Sequence, residues 1–509
     1  MLRHGGKFFS LAIFIAAFLS TQLALAQEAH EHNAPAKLGE VSFSTSCKPA
    51  VQADFNRAVA LLHSFTYMPA NDAFRDVAQK DPTCAMAYWG MAMANFHQLW
   101  QPPLPPASSP ARAAAQHAIA EAQKIGAPTE RERGFIHAAQ VILADDATAS
   151  YASRLATYEQ EMAAVAGANP RDVEGQVFYA LALLANASPM DKKHAKQKKA
   201  AEILEPLYRA HPQHPGMAHY LIHAYDNAEL AQRGVPMARV YSQIAPDAPH
   251  ALHMPSHIFT RLGMWDDSIA SNIASRDAAR NTADTGEQLH AMDYLVYAYL
   301  QAGRDAEAAQ VIQQLKSMPN LNTTDFKVGY SATAMPIRYM VERHDWASAA
   351  AVAPPTAGPP HVIAIAVWAK GLGLARSGRA ADARKQSDEL QKLEDQLQTS
   401  GNGYWATQVR VMKREVMAWS AEAEHKPEEA VTLMRQAADE EDSVEKLPVT
   451  PGPIVPAREQ LGDLLLQHKQ WAMAAKEFDV ANGNAPGRRG AAEGAAEAAK
   501  RLRAANSGE

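Results

Sequence analysis

The stretch GDLLLQHKQWAMAAKEFDVANGNAP, residues 462–486, decides the fold. Its small residues, large apolar residues and final proline have the spacing of two antiparallel helices in a unit of about 34 residues: Gly462, Leu465, Ala474, Phe478, Ala481 and Pro486. Small residues let two helices approach closely, the aromatic ring fills the space between them, and the proline ends the second helix. The stretch therefore predicts a helix-turn-helix repeat.

The same pattern recurs along the chain. A first unit contains Ala58, Leu61, Ala70, Phe74 and Pro82, and the next opens with Tyr88-Trp89-Gly90. Less complete matches begin near Leu184, Tyr299, Gly371 and Ala418. One match is common among helical hairpins, but about seven in one chain predict an all-α solenoid of such hairpins. In this architecture the first helix of each repeat lines the concave side.

The pattern resembles the tetratricopeptide repeat family. The strings CAMAYWG (residues 84–90) and HMPSHIFTRLG (residues 253–263) are similar to those of a group of exported bacterial tetratricopeptide proteins without an established activity. This resemblance implies the fold and an exported location, and it carries over no catalytic residue.

The N-terminus has the features of an export signal. Arg3 and Lys7 precede an apolar run, and Ala24-Leu25-Ala26 matches a cleavage site. We therefore expect a signal peptide at residues 1–26 and a periplasmic or secreted protein that begins at Gln27. Residues 27–42 are expected to form a disordered arm, and no later segment is apolar enough to span a membrane.

Proline-rich breaks suggest how the repeats are divided. The segment APPTAGPP, residues 353–360, is predicted to separate an N-terminal array at 43–352 from a C-terminal array with a capping helix at 361–505. The net charge of −6 becomes more negative once the leader is removed, which disfavours nucleic acid and anionic membranes as partners. Cys47 and Cys84 lie near the starts of neighbouring units, so a disulfide between them is favoured over two buried thiols.

Histidines are concentrated in the middle of the chain, with eight between His211 and His290. His219 and His223 are four residues apart and share one helix face, with Asp226 nearby. His253 and His257 have the same spacing, but Pro255 between them makes their shared face less certain. We predict that a groove lines this region, formed by His219, His223, Tyr225, Asp226, His253, His257, Arg261, His290, Asp293 and Tyr294.

Two interpretations of this groove remain open. In the first, the histidines hydrogen-bond to each other, to carboxylates and to backbone groups. In the second, His219, His223, His253 and His257 bind zinc or copper, which favour imidazole ligands. A metalloprotease needs Glu directly after the first His, and Tyr220 occupies that position.

The chain has no phosphate-binding loop, dinucleotide fingerprint or nucleophile elbow. We therefore expect a scaffold that binds a protein, a peptide or another ligand in its concave groove, with no catalytic residue assigned. The alternative is a periplasmic metal-binding protein centred on the histidines between 219 and 290, with a hydrolytic activity left open.

Overall fold

The computed structural model describes residues 37–97, 99, 109–144 and 149–507. The predicted signal peptide and residues 27–36 of the predicted arm lie outside this part. Every regular element in the described residues is helical, and a short 3-10 helix (Pro49–Val51) precedes the first α-helix. The helices of the first half are α1 (Gln52–His63), α2 (Tyr67–Lys80), α3 (Ala85–Ala94), α4 (Pro110–Ile125), α5 (Glu130–Leu143), α6 (Tyr151–Ala168), α7 (Val173–Ala185), α8 (Ala195–Ala210), α9 (Pro215–Tyr225), α10 (Ala231–Ile244), α11 (Pro249–His253) and α12 (Pro255–Arg261).

The second half continues in the same way. Its helices are α13 (Trp265–Asn281), α14 (Thr285–Gln301), α15 (Asp305–Ser317), α16 (Phe326–Glu342), α17 (Trp346–Ala350), α18 (Pro360–Arg376), α19 (Ala380–Thr399), α20 (Gly403–Ala423), α21 (Pro427–Asp442), α22 (Ala457–Gln467), α23 (Trp471–Asn484) and α24 (Arg489–Ser507). Consecutive helices pack against each other as hairpins throughout. The predicted all-α array of helical hairpins is confirmed.

The stretch of residues 462–486 folds as predicted into a hairpin, which consists of α22 and α23. A Cβ atom at Gly462 would lie 2.6 Å from the ring of Phe478, which is fully buried. Gly90 and Phe74 repeat this close approach between α3 and α2. The small residue therefore lets the aromatic ring of the neighbouring helix fill the space between the two helices.

Three consecutive hairpins position the histidines. Helix α9 packs against α8 and α10, α11 and α12 pack against α10 and α13, and α14 packs against α13, α15 and α16. Helix α1 also packs directly against α9, which brings His63 close to the same region.

The beginning of the described chain corrects one expectation. Residues 37–42 belong to the predicted disordered arm, yet they are held against the repeats. Leu38 is buried, and the backbone N–H of Glu40 donates to the carbonyl of Gln213 at 2.9 Å. An apolar side chain with a burial site, together with backbone pairing, orders this part of the arm.

The segment 353–360 forms the loop between α17 and α18. Helices α16 and α17 both pack against α18, and one apolar core includes Ile337 and Val341 before the loop and Val362 and Ile365 after it. The described residues from Lys37 onward form one compact unit. Packing therefore continues across the loop, and the division into two arrays stays a prediction.

The C-terminal hairpins are anchored to the middle of the chain by Arg488, whose side chain is fully buried. It donates to Glu459 Oε2 at 2.9 Å, to Glu342 Oε1 at 2.9 Å and to the hydroxyl of Tyr297 at 3.1 Å. Nearby, the indole of Trp265 donates to the carbonyl of Gly487 at 3.0 Å. These contacts connect the start of α24 to α13, α14 and α16.

The predicted disulfide between Cys47 and Cys84 is present and joins residues 37 positions apart. It connects the segment before α1 to the start of α3, as expected for neighbouring repeats. No helix among the described residues has the length and apolar character needed to cross a bilayer.

Reducing this disulfide is expected to lower the free energy of unfolding by about 3–4 kcal/mol, because the bond restricts the unfolded chain. Urea unfolding with and without a thiol reductant measures the difference. The double variant Cys47→Ala/Cys84→Ala is the control, and its unfolding should not respond to the reductant. An identical urea midpoint for the native chain in both conditions would contradict the prediction.

Candidate metal centre

Six histidines converge where α9, α11, α12 and α14 meet. They are His219 and His223 on α9, His250 and His253 on α11, His257 on α12, and His290 on α14. The backbone stays helical from α11 into α12, because Met254 has helical dihedrals and Pro255 takes the first position of α12. His253 and His257 therefore share a face, which the sequence left uncertain.

The first cluster, which we call triad A, consists of His219, His223 and His250. The Nε2 atom of His219 lies 3.1 Å from Nε2 of His223 and 3.2 Å from Nε2 of His250. All three residues are buried. One nitrogen from each lies within 4.8 Å of the others, a separation that allows one metal ion to bind all three.

The second cluster, triad B, consists of His253, His257 and His290. The Nε2 atoms of His253 and His257 are 2.9 Å apart, and the rings of His253 and His290 have centroids 4.2 Å apart. One nitrogen from each of these three residues again lies within 4.8 Å of the others, and the side chains are fully or almost fully buried. The two triads are adjacent, since the ring centroids of His250 and His253 are 6.0 Å apart.

Two of the three outer nitrogens of triad A face oxygen atoms that can only accept hydrogen bonds. His219 Nδ1 lies 2.6 Å from the backbone carbonyl of His63, and His250 Nδ1 lies 2.9 Å from Glu287 Oε1. Both Nδ1 atoms must therefore carry the proton and donate it. In a neutral imidazole this leaves a lone pair on Nε2, the nitrogen that points into the triad.

Triad B is oriented in the same way. His257 Nδ1 donates to Asp226 Oδ2 at 2.9 Å, and His253 Nδ1 lies 2.7 Å from Asn272 Oδ1. The amide nitrogen of Asn272 donates to the carbonyl of Ser268, which places Oδ1 toward His253 as an acceptor. Both Nε2 atoms of this pair again carry lone pairs.

Lone pairs therefore face each other in both triads, at 3.2 Å between His219 and His250 and at 2.9 Å between His253 and His257. Two ligand nitrogens bound at about 2.0–2.1 Å to one ion, about 90–110° apart, are separated by about 2.9–3.4 Å. The observed separations match the edges of such a coordination polyhedron. An outer acceptor on Nδ1 is also the usual support of a metal-binding histidine.

Burial keeps five of these imidazoles neutral. It lowers the pKa of His219, His223, His253 and His290 well below its ordinary value, and neighbouring histidines lower it further. Burial also lowers the pKa of His257, although Asp226 opposes the shift. The neutral imidazole is the form that binds metal ions.

The two outer carboxylates are charged and paired. Burial by itself would raise the pKa of Asp226, but Lys446 and Arg261 hold it well below its usual value, at 2.9 and 2.8 Å from its oxygens. The charge of Lys327 likewise overcomes burial and, with the hydrogen bond from His250 Nδ1, holds the pKa of Glu287 well below its usual value. Both carboxylates therefore act as fixed anions that orient the imidazoles.

A third buried cluster shows a different arrangement. Glu174 accepts from His63 Nε2 and from His214 Nε2, each at 3.0 Å, and the hydroxyl of Tyr220 lies 2.9 Å from His63 Nδ1. Each of these three ring nitrogens faces an oxygen atom, so hydrogen bonds satisfy them without an ion. This cluster joins α1, α7 and α9 and holds the His63 carbonyl against His219.

The other predicted groove residues have separate roles. Tyr294 packs its ring against His253 at a centroid distance of 4.7 Å and donates its hydroxyl to the carbonyl of Thr450. Asp293 pairs with Arg338 at 3.6 Å, outside both triads. Tyr225 is turned the other way, because its hydroxyl donates to Glu205 on α8.

The predicted open groove is closed at this point by the chain itself. The loop of residues 443–456, between α21 and α22, covers the histidine-bearing hairpins. Lys446 of this loop reaches Asp226, Thr450 accepts from Tyr294, and the carbonyl of Pro453 accepts from Arg338 at 3.1 Å. The expectation of an exposed groove is therefore corrected, since five of the six histidines are at most 2 % exposed.

A cavity of about 540 Å³ remains beside this loop and reaches triad A. His223, which is 9 % exposed, lines it together with Asp226. Tyr404 and Lys446 form another part of the wall. A second cavity of about 320 Å³ also borders Tyr404 and Lys446, and Arg261 contributes to its wall.

Sequence reasoning missed four residues of this centre. His250 completes triad A, and Glu287 accepts from it. Asn272 accepts from His253 of triad B, and Lys446 donates to Asp226. His250 had a detectable signal, because it lies three residues before His253 in the same histidine-rich string. No sequence signal pointed to Lys446, because its loop lies more than two hundred residues from Asp226 in sequence.

No family model and no curated protein matches the chain. Among solved structures, it is similar to the P58(IPK) TPR domain, with 13% identity over 90% of this chain and 99% of that chain and a TM-score of 0.24. It is also similar to yeast Tom70, with 10% identity over 88% and 89% and a TM-score of 0.31, and to the human IFIT1 dimer with m7Gppp-AAAA, with 10% identity over 82% and 90% and a TM-score of 0.37.

These likenesses are too distant to assign a function. The hairpin geometry of residues such as Gly462 and Phe478 carries the fold assignment. The fold is an all-α array of helical hairpins of the tetratricopeptide type.

Proposed function

We propose that this protein is a metal-binding helical-repeat protein whose array holds two ions side by side, one in each histidine triad. The observation that carries the proposal is the convergence of Nε2 lone pairs at metal-ligand separations in both triads. Three hairpins contribute to the centre, so the repeat array is the scaffold that positions it. The alternative of a hydrolytic role is not needed to explain this geometry.

The purely structural interpretation of the histidines explains the third cluster better than it explains the triads. Hydrogen bonds to Glu174 and Tyr220, and one from the backbone N–H of Met217, satisfy the ring nitrogens of His63 and His214. In the triads, by contrast, the proton of each oriented imidazole is committed to an outer acceptor. A cation between the facing nitrogens removes the lone-pair repulsion that would otherwise destabilise the buried cluster.

The proposed centre changes the role of the predicted protein-binding groove. A peptide could reach the histidines only by displacing the loop 443–456, which is held by Lys446, Thr450 and Pro453. A small ligand can instead occupy the cavity at His223. Binding of a protein or peptide partner to another surface of the array stays a prediction, and pull-down with the loop intact would test it.

We also propose that the protein works in an exported location. The disulfide between Cys47 and Cys84 supports this proposal, because such bonds persist mainly in oxidising compartments. Mass spectrometry of the protein recovered from the cell envelope checks for a mature N-terminus at Gln27.

Metal analysis tests the proposed function. Purified protein is stripped with a chelator, dialysed against zinc(II) or copper, passed through a desalting column and assayed for metal and protein. We expect about two ions retained per chain and a higher unfolding temperature in the loaded form, since an ion bound only by the native state stabilises it.

The matched control is His137→Ala on α5, because this histidine is 55% exposed and lies outside both triads. This variant should retain as much metal as the native chain. Absence of stoichiometric metal, together with a chelator-insensitive unfolding temperature, would overturn the proposal.

A further inference from the structure

The charges and cavities around the triads point to a particular metal and ligand. Resting on the proposed function, we propose that the centre holds two copper ions that bind dioxygen between them, with the cavity at His223 as its entry path. Neither the fold nor the distant structural neighbours assign such a role.

The donor set favours copper. Imidazole nitrogens alone converge in the two triads, whereas magnesium, calcium and manganese prefer oxygen ligands. The nearest carboxylates, Asp226 and Glu287, are directed at the outer nitrogens and at cationic side chains. Among divalent first-row ions, copper binds a given nitrogen site most tightly.

The charge balance favours the lower oxidation state in the resting centre. The anions Asp226, Glu287 and Glu445 are paired with the cations Arg261, Lys327, Lys446 and Lys192. These groups therefore contribute no net negative charge to neutralise the metals. Two divalent ions would bring four uncompensated positive charges into a buried site, and two copper(I) ions bring only two.

Reduced dioxygen supplies negative charge that balances the oxidised copper pair. Each copper(I) ion gives one electron, so the two ions become copper(II) and dioxygen becomes a bound peroxide with two negative charges. Two copper–oxygen bonds form, the O–O bond is retained as a single bond, and no proton is transferred. The four charges of the oxidised metals are thereby reduced to two, the same net charge as in the resting centre.

The geometry places the two ions close enough to share a small ligand. His250 and His253 are adjacent members of the two triads on one short helix, and the rings of His223 and His257 have centroids 5.9 Å apart. The cavity of about 540 Å³ ends at His223. A diatomic molecule can therefore approach the pair from the side of triad A.

The test uses the full chain, stripped of metal and reloaded without oxygen with two equivalents of copper(I). The sample is then exposed to air while oxygen consumption and the copper electron paramagnetic resonance signal are recorded. We expect one dioxygen consumed per two coppers and a product that gives little resonance signal, because the unpaired electrons of two bridged copper(II) ions couple. Zinc-loaded protein should consume no oxygen.

Each other outcome is decisive. Two retained coppers that stay reduced in air, or that give the full resonance signal of isolated copper(II), would overturn the dioxygen inference and leave the metal centre standing. Retention of zinc but not copper would likewise overturn the dioxygen inference and leave the metal centre standing. Failure to retain either metal would overturn the proposed function itself.

Discussion

The variant His253→Ala is expected to retain about one metal ion per chain where the native protein retains about two. His253 contributes its Nε2 atom to triad B, 2.9 Å from that of His257, so its loss leaves only two imidazoles for that ion. Triad A keeps all three of its ligands. Metal and protein assays after dialysis and desalting measure the change.

A second variant separates coordination from folding. In Asn272→Leu the ligands stay in place, but His253 Nδ1 loses its acceptor at 2.7 Å. Loss of such outer support weakens metal affinity by about 10–100-fold. Ser275→Ala on the same helix, α13, is its matched control, because Ser275 is buried but supports neither triad. Unchanged stoichiometry in His253→Ala and unchanged affinity in Asn272→Leu would contradict the assignment of triad B.

The variant Arg488→Met is expected to lower the free energy of unfolding by about 3–5 kcal/mol. Its side chain pairs with Glu459 and Glu342 in a fully buried position, so removing the guanidinium leaves two carboxylates without their main partner. Urea unfolding monitored by circular dichroism measures the loss. Proteolysis should then show earlier cleavage near the start of α24, because Arg488 anchors it.

Arg501→Met is the matched control on α24. Arg501 is 57% exposed and pairs with Glu497 four residues earlier, an arrangement that contributes little to stability. Its unfolding should therefore stay close to that of the native chain. Equal stability of the two variants would show that the buried network does not hold the C-terminal hairpins.

The hairpin array was predictable because its determinants are local. The spacing of Gly462, Phe478 and Pro486 sets the helix packing within one unit, and each unit contacts mainly its neighbours. The disulfide followed from the same reasoning, since Cys47 and Cys84 lie at the starts of adjacent repeats. Order in residues 37–42 was missed, because burial of Leu38 depends on the distant segment near Gln213.

The candidate site was predictable only in part. Helical spacing correctly placed His219 with His223 and His253 with His257, and the structure brings both pairs together. The division into two triads depends on how three hairpins pack, which spacing does not show. Tyr225 shares the sequence neighbourhood but faces Glu205, since its position on α9 turns it toward α8.

Local sequence patterns could not predict that the groove is closed. The contacts of the loop 443–456 with Asp226 and Tyr294 join residues far apart in the chain. Arg488 also joins the C-terminal hairpins to the middle of the chain through the hydroxyl of Tyr297. The centre is therefore a property of the whole array, and its cover and its ligands come from different repeats.

Anomalous diffraction from crystals of metal-loaded protein, recorded on both sides of the metal absorption edge, locates the ions directly. The proposed centre predicts two peaks, each about 2.0–2.1 Å from imidazole nitrogens, one in the triad of His219, His223 and His250 and one in the triad of His253, His257 and His290. Crystals of fully loaded protein with no peak between these imidazoles, or with peaks only at surface histidines, would contradict it.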